Sequence, residues 1–228
     1  MSSKRAPIDN LKRLQSKPRR SLLPNFSARQ LNEEPYIVKI KNIISDEEIE
    51  EIMKMGKHKF ERSNLMVDGQ LVYNDTRTSS TAYIVRDGLP DTYSEPVERF
   101  IERIQYLAGC KREQIEMMMV KYTYLQKFDK HVDYFEDHEV NVLDFAGNRK
   151  YTFFIYLNTL HEGDGGETEF TQLGIRSKPR KGDGLFWHNQ NPKTGKMMPM
   201  TEHQGNPVLN KEVTKYAINL WIRTQGFY

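Results

Sequence analysis

The chain has 228 residues, 29% of them charged and 37% hydrophobic, which suits one large domain; no apolar run approaches the length of a membrane span. Its single cysteine, Cys110, excludes an internal disulfide framework and a cysteine-rich zinc site, and fits a reducing, cytoplasm-like compartment. The net charge of +3 is uneven, because residues 1–30 carry eight Lys or Arg against one Asp and leave the remainder acidic.

The opening MSSKRAPIDNLKRLQSKPRR is basic but has no apolar core behind it, so it is not read as a secretory signal and a cytoplasmic location is expected. A basic tail can touch nucleic acid or an anionic surface. No aromatic or Gly-rich pattern accompanies this one, so residues 1–33 are read as a solvated, weakly ordered lead-in, and nucleic acid is not expected as a partner. The folded domain is then expected over 34–228. Its first strand is EPYIVKIKN, where apolar and polar residues alternate. Ser45 and Glu48 form a capping box ahead of Ile49, Ile52, Met53 and Gly56 at helical spacing. A second helix is predicted from about Ser94, with Pro96 in its first turn and a stripe of Val97, Phe100, Ile101, Ile104 and Ala108. The methionines, including the run at 117–119, read as packing.

From about residue 115 the texture changes. The segments EMMMVKYTYL, KYTFFIYLN, ETEFTQ, GLFWHN and KYAINLWI are β-rich, and the clusters HEGDGGE, SKPRKGDG and NPKTGK separate them as turns. GDGGE lacks the Lys-Ser/Thr of a phosphate loop. Many short strands between such turns argue for a sandwich or barrel, so the fold class is α+β.

Within this β-rich part, HVDYF contains an H-x-D pair, His131 and Asp133. On a strand, residues two apart share a face, so both can reach one ion. Chance supplies roughly 0.3 such pairs in a chain of this composition, so the pair decides nothing alone. A third ligand is needed. His188, in LFWHN, and His203, in TEHQGNPVL, both complete two histidines and a carboxylate, the facial arrangement of non-haem iron(II) oxygenases. Spacing does not choose between them.

Taken together, HVDYF, YTFFIYLNTLHEGDGGETEF, PRKGDGLFWHN and EHQGNPVLNKEVTKYAINLWI resemble the catalytic domain of prolyl 4-hydroxylases, iron(II)- and 2-oxoglutarate-dependent dioxygenases, in microbial, phage or viral stand-alone form. The resemblance covers residues 35–228, and TRTSS at 76–80 also fits. It implies a double-stranded β-helix, a jelly-roll core with supporting N-terminal helices. It selects His203 as the distal ligand, ahead of Pro207-Val208-Leu209, and leaves His188 near the site at most.

The resemblance also implies a lysine about ten residues after the distal histidine, to pair the far carboxylate of 2-oxoglutarate. Here Lys211 stands eight residues after His203 and Lys215 twelve after; a two-residue insertion in NKEVT favours Lys215. Tyr122 and Thr152 match positions that hydrogen-bond the cosubstrate, while Arg149 and Trp221 match positions that meet a peptide. Arg77, in TRTSS, is expected to organise the hairpin loop that closes over it. Phe128 departs from the tyrosine that relatives carry three residues before the first histidine. The implied activity is peptidyl-proline 4-hydroxylation with ascorbate as reductant, by a monomer or weak dimer acting on proline-rich peptide or protein, with no membrane partner. The same chemistry on another side chain or a small molecule is the alternative. An intact triad plus lysine argues against a mere binding module.

Overall fold

In the computed structural model, which describes residues 26–67, 70–85, 93–135 and 146–227, the expected capping box is formed. Ser45 Oγ accepts from the Glu48 amide at 3.2 Å, and Glu48 Oε2 accepts from the Ser45 amide at 2.9 Å. They start helix α1 (Asp46–Gly56). Glu48 is also buried, and both its oxygens accept from Arg103 of helix α2 (Glu95–Ala108), at 2.7 and 3.0 Å. One carboxylate thus caps one helix and ties it to the next. Helix α2 starts with Pro in its first turn and stops at Gly109, whose φ of 62° is left-handed. Its stripe of Val97, Phe100, Ile101, Ile104 and Ala108 is fully buried. Each such large side chain contributes roughly 1.5–3 kcal/mol on burial, so packing rather than propensity holds the helix.

Beneath the helices lies an antiparallel sheet of eight strands. Their order is β1 (Ser27–Asn32), β2 (Ile37–Lys41), β12 (Gly184–His188), β9 (Arg149–Tyr156), β14 (Lys215–Arg223), β7 (Ile115–Tyr122), β6 (Ser80–Val85) and β3 (Glu61–Arg62). Period-two alternation gives the sheet two different faces. Met117, Met119, Tyr151, Phe153, Ile155, Phe186, Ile218, Leu220 and Ile222 pack against the helices. Met118, Val120, Tyr122, Phe154, Tyr156, Leu185, Trp187, Ala217 and Trp221 point the other way. Opposite that second face stands a four-stranded sheet, β11 (Ile175–Ser177), β10 (Thr168–Phe170), β13 (His203–Gly205) and β8 (Phe128–His131). Phe170 and Ile175 close the core between the sheets. This is the double-stranded β-helix within an α+β fold. A separate hairpin, β4 (Leu65–Val67) and β5 (Gln70–Val72), stands outside both sheets.

Two expectations need correction. The domain boundary at residue 34 falls too late, because β1 pairs with β2 from Ser27↔Lys41 to Asn32↔Ile37. SARQLN is an edge strand with no buried residue and so lacks the apolar alternation that announces a half-buried one. The remainder of the basic lead-in, residues 1–25, lies outside the described residues. Second, β8 ends at His131, so Asp133 does not share a strand with it. No described helix is long and apolar enough to cross a membrane.

Candidate active site

The short strands β8 and β13 run antiparallel with His131 directly opposite His203. The Nδ1 of His131 lies 2.8 Å from the Asp129 carbonyl, and that of His203 lies 2.9 Å from the Thr201 carbonyl. A carbonyl only accepts, so each Nδ1 carries the hydrogen and each Nε2 keeps its lone pair for a metal. The chain bends after His131 and returns Asp133 to the same spot. Its Oδ1 stands 3.8 Å from His131 Nε2, and its Oδ2 4.0 Å from His203 Nε2. The three ligand atoms lie within 4.8 Å of one another.

The protonation states suit a cation. Burial pushes the His131 imidazole down to about 3, helped by His203, so it is neutral at ordinary pH. For Asp133, burial opposes the charge, but His203, His131 and Arg149 and a hydrogen bond from Thr152 together hold the carboxyl below its ordinary value. Two imidazoles and one carboxylate form the facial set that iron(II) oxygenases use.

Deeper between the sheets, Lys215 at the head of β14 lies opposite Tyr122 at the end of β7. Lys215 is 1% exposed, and its ammonium has no hydrogen-bond partner among the described residues. It stands over the rings of Tyr122, Phe154 and Tyr156, at 4.9, 5.1 and 5.8 Å from their centroids. Burial pushes it down to about 7, against a smaller upward pull from Glu167. A buried cation without a counter-charge is costly, and a carboxylate is its complement. Gly166, with φ of 73°, lets the HEGDGGE turn pass over this side chain; a Cβ there would meet Leu160 Cδ2 at 2.8 Å. Lys211 is exposed, its ammonium 5.2 Å from the Tyr124 ring centroid. Of the two candidates, Lys215 is the buried one.

The sequence profile of the 2OG-Fe(II) oxygenase superfamily matches residues 117–223, the stretch that holds the triad and Lys215. Over that stretch the chain is similar to this superfamily. Among its relatives is the chicken prolyl 4-hydroxylase subunit alpha-2, 28% identical over 208 residues, which cover 90% of this chain and 37% of that one. Another is the probable prolyl 4-hydroxylase 6 of Arabidopsis thaliana, 29% identical over 219 residues, with 87% and 72% of the two chains covered. The chain therefore spans little more than a third of the chicken subunit. The crystal structure of a viral collagen prolyl hydroxylase from Paramecium bursaria Chlorella virus-1, in its 2-oxoglutarate complex, shares the fold. Its TM-score is 0.61 at 24% identity, with 82% of this chain and 95% of that chain covered.

Iron(II) and 2-oxoglutarate are the metal and cosubstrate of such oxygenases. The residues fit both: an imidazole, imidazole and carboxylate set for the ion, and an unpartnered buried ammonium for the carboxylate.

At the start of β9, Arg149 lies 3.4 Å from the Trp221 ring centroid and 4.4 Å from that of Phe135, and donates to Glu116 at 3.2 Å. Arg149 and Trp221 thus form one stacked unit, with the guanidinium close enough to Asp133 to act on its charge. Arg77 is buried, donates to the Asn64 carbonyl at 3.2 Å, and stands over the Phe128 ring at 4.8 Å. Phe128 itself stacks on His131, with centroids 3.5 Å apart. Arg77 therefore joins the root of the β4–β5 hairpin to the packing around His131.

Thr152 departs from expectation. Its hydroxyl donates to Asp133 Oδ2 at 2.7 Å and accepts from Asn189 Nδ2 at 2.9 Å, so its one hydrogen is committed to the iron carboxylate rather than to the cosubstrate. Tyr122 lies beside Lys215, its phenol pushed up by burial and moderated by Arg77 and Ser79. His188 is on the wrong face: it packs among Tyr36, Tyr151 and Phe186, with burial pushing it down to about 4. Asn189 was not singled out by any motif; only its parity with Trp187 marks it as facing the site.

Proposed function

We propose that this chain is a 2-oxoglutarate-dependent dioxygenase that hydroxylates C4 of peptidyl proline. The observation that carries the reading is a cluster of three metal-ligating side chains together with a fully buried, unpartnered lysine, bridged by Tyr122, whose ring lies under the lysine and whose phenol is acted on by the Asp133 charge. Iron(II), 2-oxoglutarate and oxygen together supply the oxidising power for inserting an oxygen atom into a C–H bond. The chain supplies the rest. His131, Asp133 and His203 grip the ion from one side and leave the other open. Lys215 holds the far carboxylate of the cosubstrate by charge. Tyr122, Phe154 and Tyr156 wall that end, so the ion pair forms away from water, where it is stronger. The Arg149–Trp221 unit and the hairpin that Arg77 tethers are taken as the side from which an extended peptide is met.

The prolyl 4-hydroxylase relatives support peptidyl proline as substrate, and ascorbate as the reductant belongs to the same reading. The chain is further taken to act in the cytoplasm, as a monomer or weak dimer. One observation favours a different substrate on the same chemistry: Phe128 brings no hydroxyl to the site and spends its ring on His131. The test is anaerobic loading with iron(II) and 2-oxoglutarate followed by oxygen, with succinate release and the mass of a proline-rich peptide read together. One added oxygen on proline, lost in His131→Ala and Lys215→Ala, establishes the reading. Succinate without peptide oxidation moves it to another substrate, and neither iron binding nor succinate ends it.

A further inference from the structure

Asp133 offers two oxygens, and a carboxylate free to turn can present either one, or both, to an ion. Here it is not free. Thr152 Oγ1 donates to Oδ2 at 2.7 Å, which leaves Oδ1, the atom 3.8 Å from His131 Nε2, without that bond. A threonine hydroxyl also turns, so something must aim its hydrogen. A carboxylate only accepts, hence Thr152 donates to Asp133 and its lone pairs face elsewhere. Asn189 Nδ2 reaches them at 2.9 Å. With that lone pair filled by the amide, the hydroxyl hydrogen is directed at Asp133.

The backbone of Asn189 is held on both sides: its main-chain N–H donates to the Lys150 carbonyl at 3.1 Å, and its main-chain carbonyl accepts from the Met198 N–H at 3.0 Å. Strand parity carries it to the site face, on the diagonal from Thr152, because Trp187 is the residue directly opposite Thr152. Asn189 and Thr152 are both 0% exposed, so no water competes for the chain of bonds. The amide's own Oδ1 has no hydrogen-bond partner among the described residues. An unpaired buried carbonyl is a cost, and the Thr152 bond is the one the side chain makes in return.

We propose that Asn189 is a positioning residue for the iron site: through Thr152 it fixes which oxygen of Asp133 faces the ion and keeps that carboxylate bound through one oxygen. The inference rests on the iron-site reading above. It predicts that Asn189 has no effect once the Thr152 hydroxyl is gone.

Cobalt(II) binding to the full chain tests this, since its visible absorption reports the number and type of ligands without turnover. Four proteins are compared: wild type, Asn189→Leu, Thr152→Val and the double variant, with Thr152→Ser as the conservative control and Asn189→Ala where leucine is not accommodated. The expected result is a roughly 10- to 100-fold loss of cobalt affinity, the size usual for such supporting contacts. An altered spectrum should accompany it in both single variants, with wild-type behaviour in Thr152→Ser and metal-free melting temperatures unchanged. The double variant should be no worse than Thr152→Val alone. Wild-type affinity and spectrum in both Asn189→Leu and Asn189→Ala, or additive losses in the double variant, overturn the proposal while leaving the iron site intact. Absence of cobalt binding to the wild type overturns the site reading and this inference with it.

Discussion

Lys215 and Tyr122 are Cα partners where β14 meets β7, and the lysine ammonium stands 4.9 Å from the tyrosine ring centroid with no hydrogen-bond partner among the described residues. The ligand-free protein therefore holds a strained charge. Removing it by Lys215→Met should raise the melting temperature of the ligand-free protein, because an apolar side chain of similar length replaces a buried, unpaired cation. The same change should cut 2-oxoglutarate affinity on the order of a hundredfold or more. Differential scanning calorimetry and a binding titration on one preparation check both signs.

The lysine also sets a pH dependence. Its value, lowered by burial to about 7 from 10.5, means that half the ligand-free molecules carry no charge there near neutrality. Cosubstrate affinity should be level below about pH 7 and fall as pH rises above it, by up to about tenfold per unit. Binding above that point should take up a proton, measurable by calorimetry in two buffers of different ionisation heat. The sign for stability is the reverse: between about 7 and 10.5 the unfolded chain holds a proton that the folded one has lost, so ligand-free stability rises with pH.

Arg103 and Glu48 make a different kind of pair. Arg103→Ala strands a buried carboxylate and should cost about 3–5 kcal/mol in denaturant unfolding. Arg103→Met with Glu48→Leu should recover much of it, less the capping bond that Glu48 also makes to Ser45. Metal affinity of the folded fraction should not change.

Phe128→Ala removes the ring stacked on His131 and beneath Arg77. Stacked ring pairs are worth about 0.5–1.5 kcal/mol, so metal affinity should fall by roughly two- to tenfold, read by metal titration.

Arg149→Met should leave cosubstrate binding in place, since the guanidinium contacts Trp221, Phe135 and Glu116 rather than Lys215. Peptide KM should rise while succinate release without peptide holds steady, which steady-state assays with and without peptide will separate.

The long elements were legible because they repeat a period. Helix α2 and strands β7, β9 and β14 each show eight or more residues of pattern. The strands that carry the iron ligands do not: β8 has four residues and β13 has three, too few for a period to emerge. The H-x-D pair was therefore found as a motif, but for a partly mistaken reason, since a bend rather than a strand returns Asp133 to His131. Choosing His203 over His188 needed the family resemblance. Parity along β12 would have excluded His188 once Trp187 was known to face the site. For Thr152 the structure gives Asp133 as the partner rather than the cosubstrate, because a hydroxyl's direction depends on Asn189, thirty-seven residues away.

The alternation along β9 and β14 has a practical consequence. Tyr151, Phe153, Ile155, Ile218, Leu220 and Ile222 lie on the face that packs under the helical layer, while their neighbours point to the other side. A directed library confined to the first set can trade one helical cladding for another, grafting on a different support or a docking helix for a chosen target, without rewriting the chemistry printed on the reverse of the same strands.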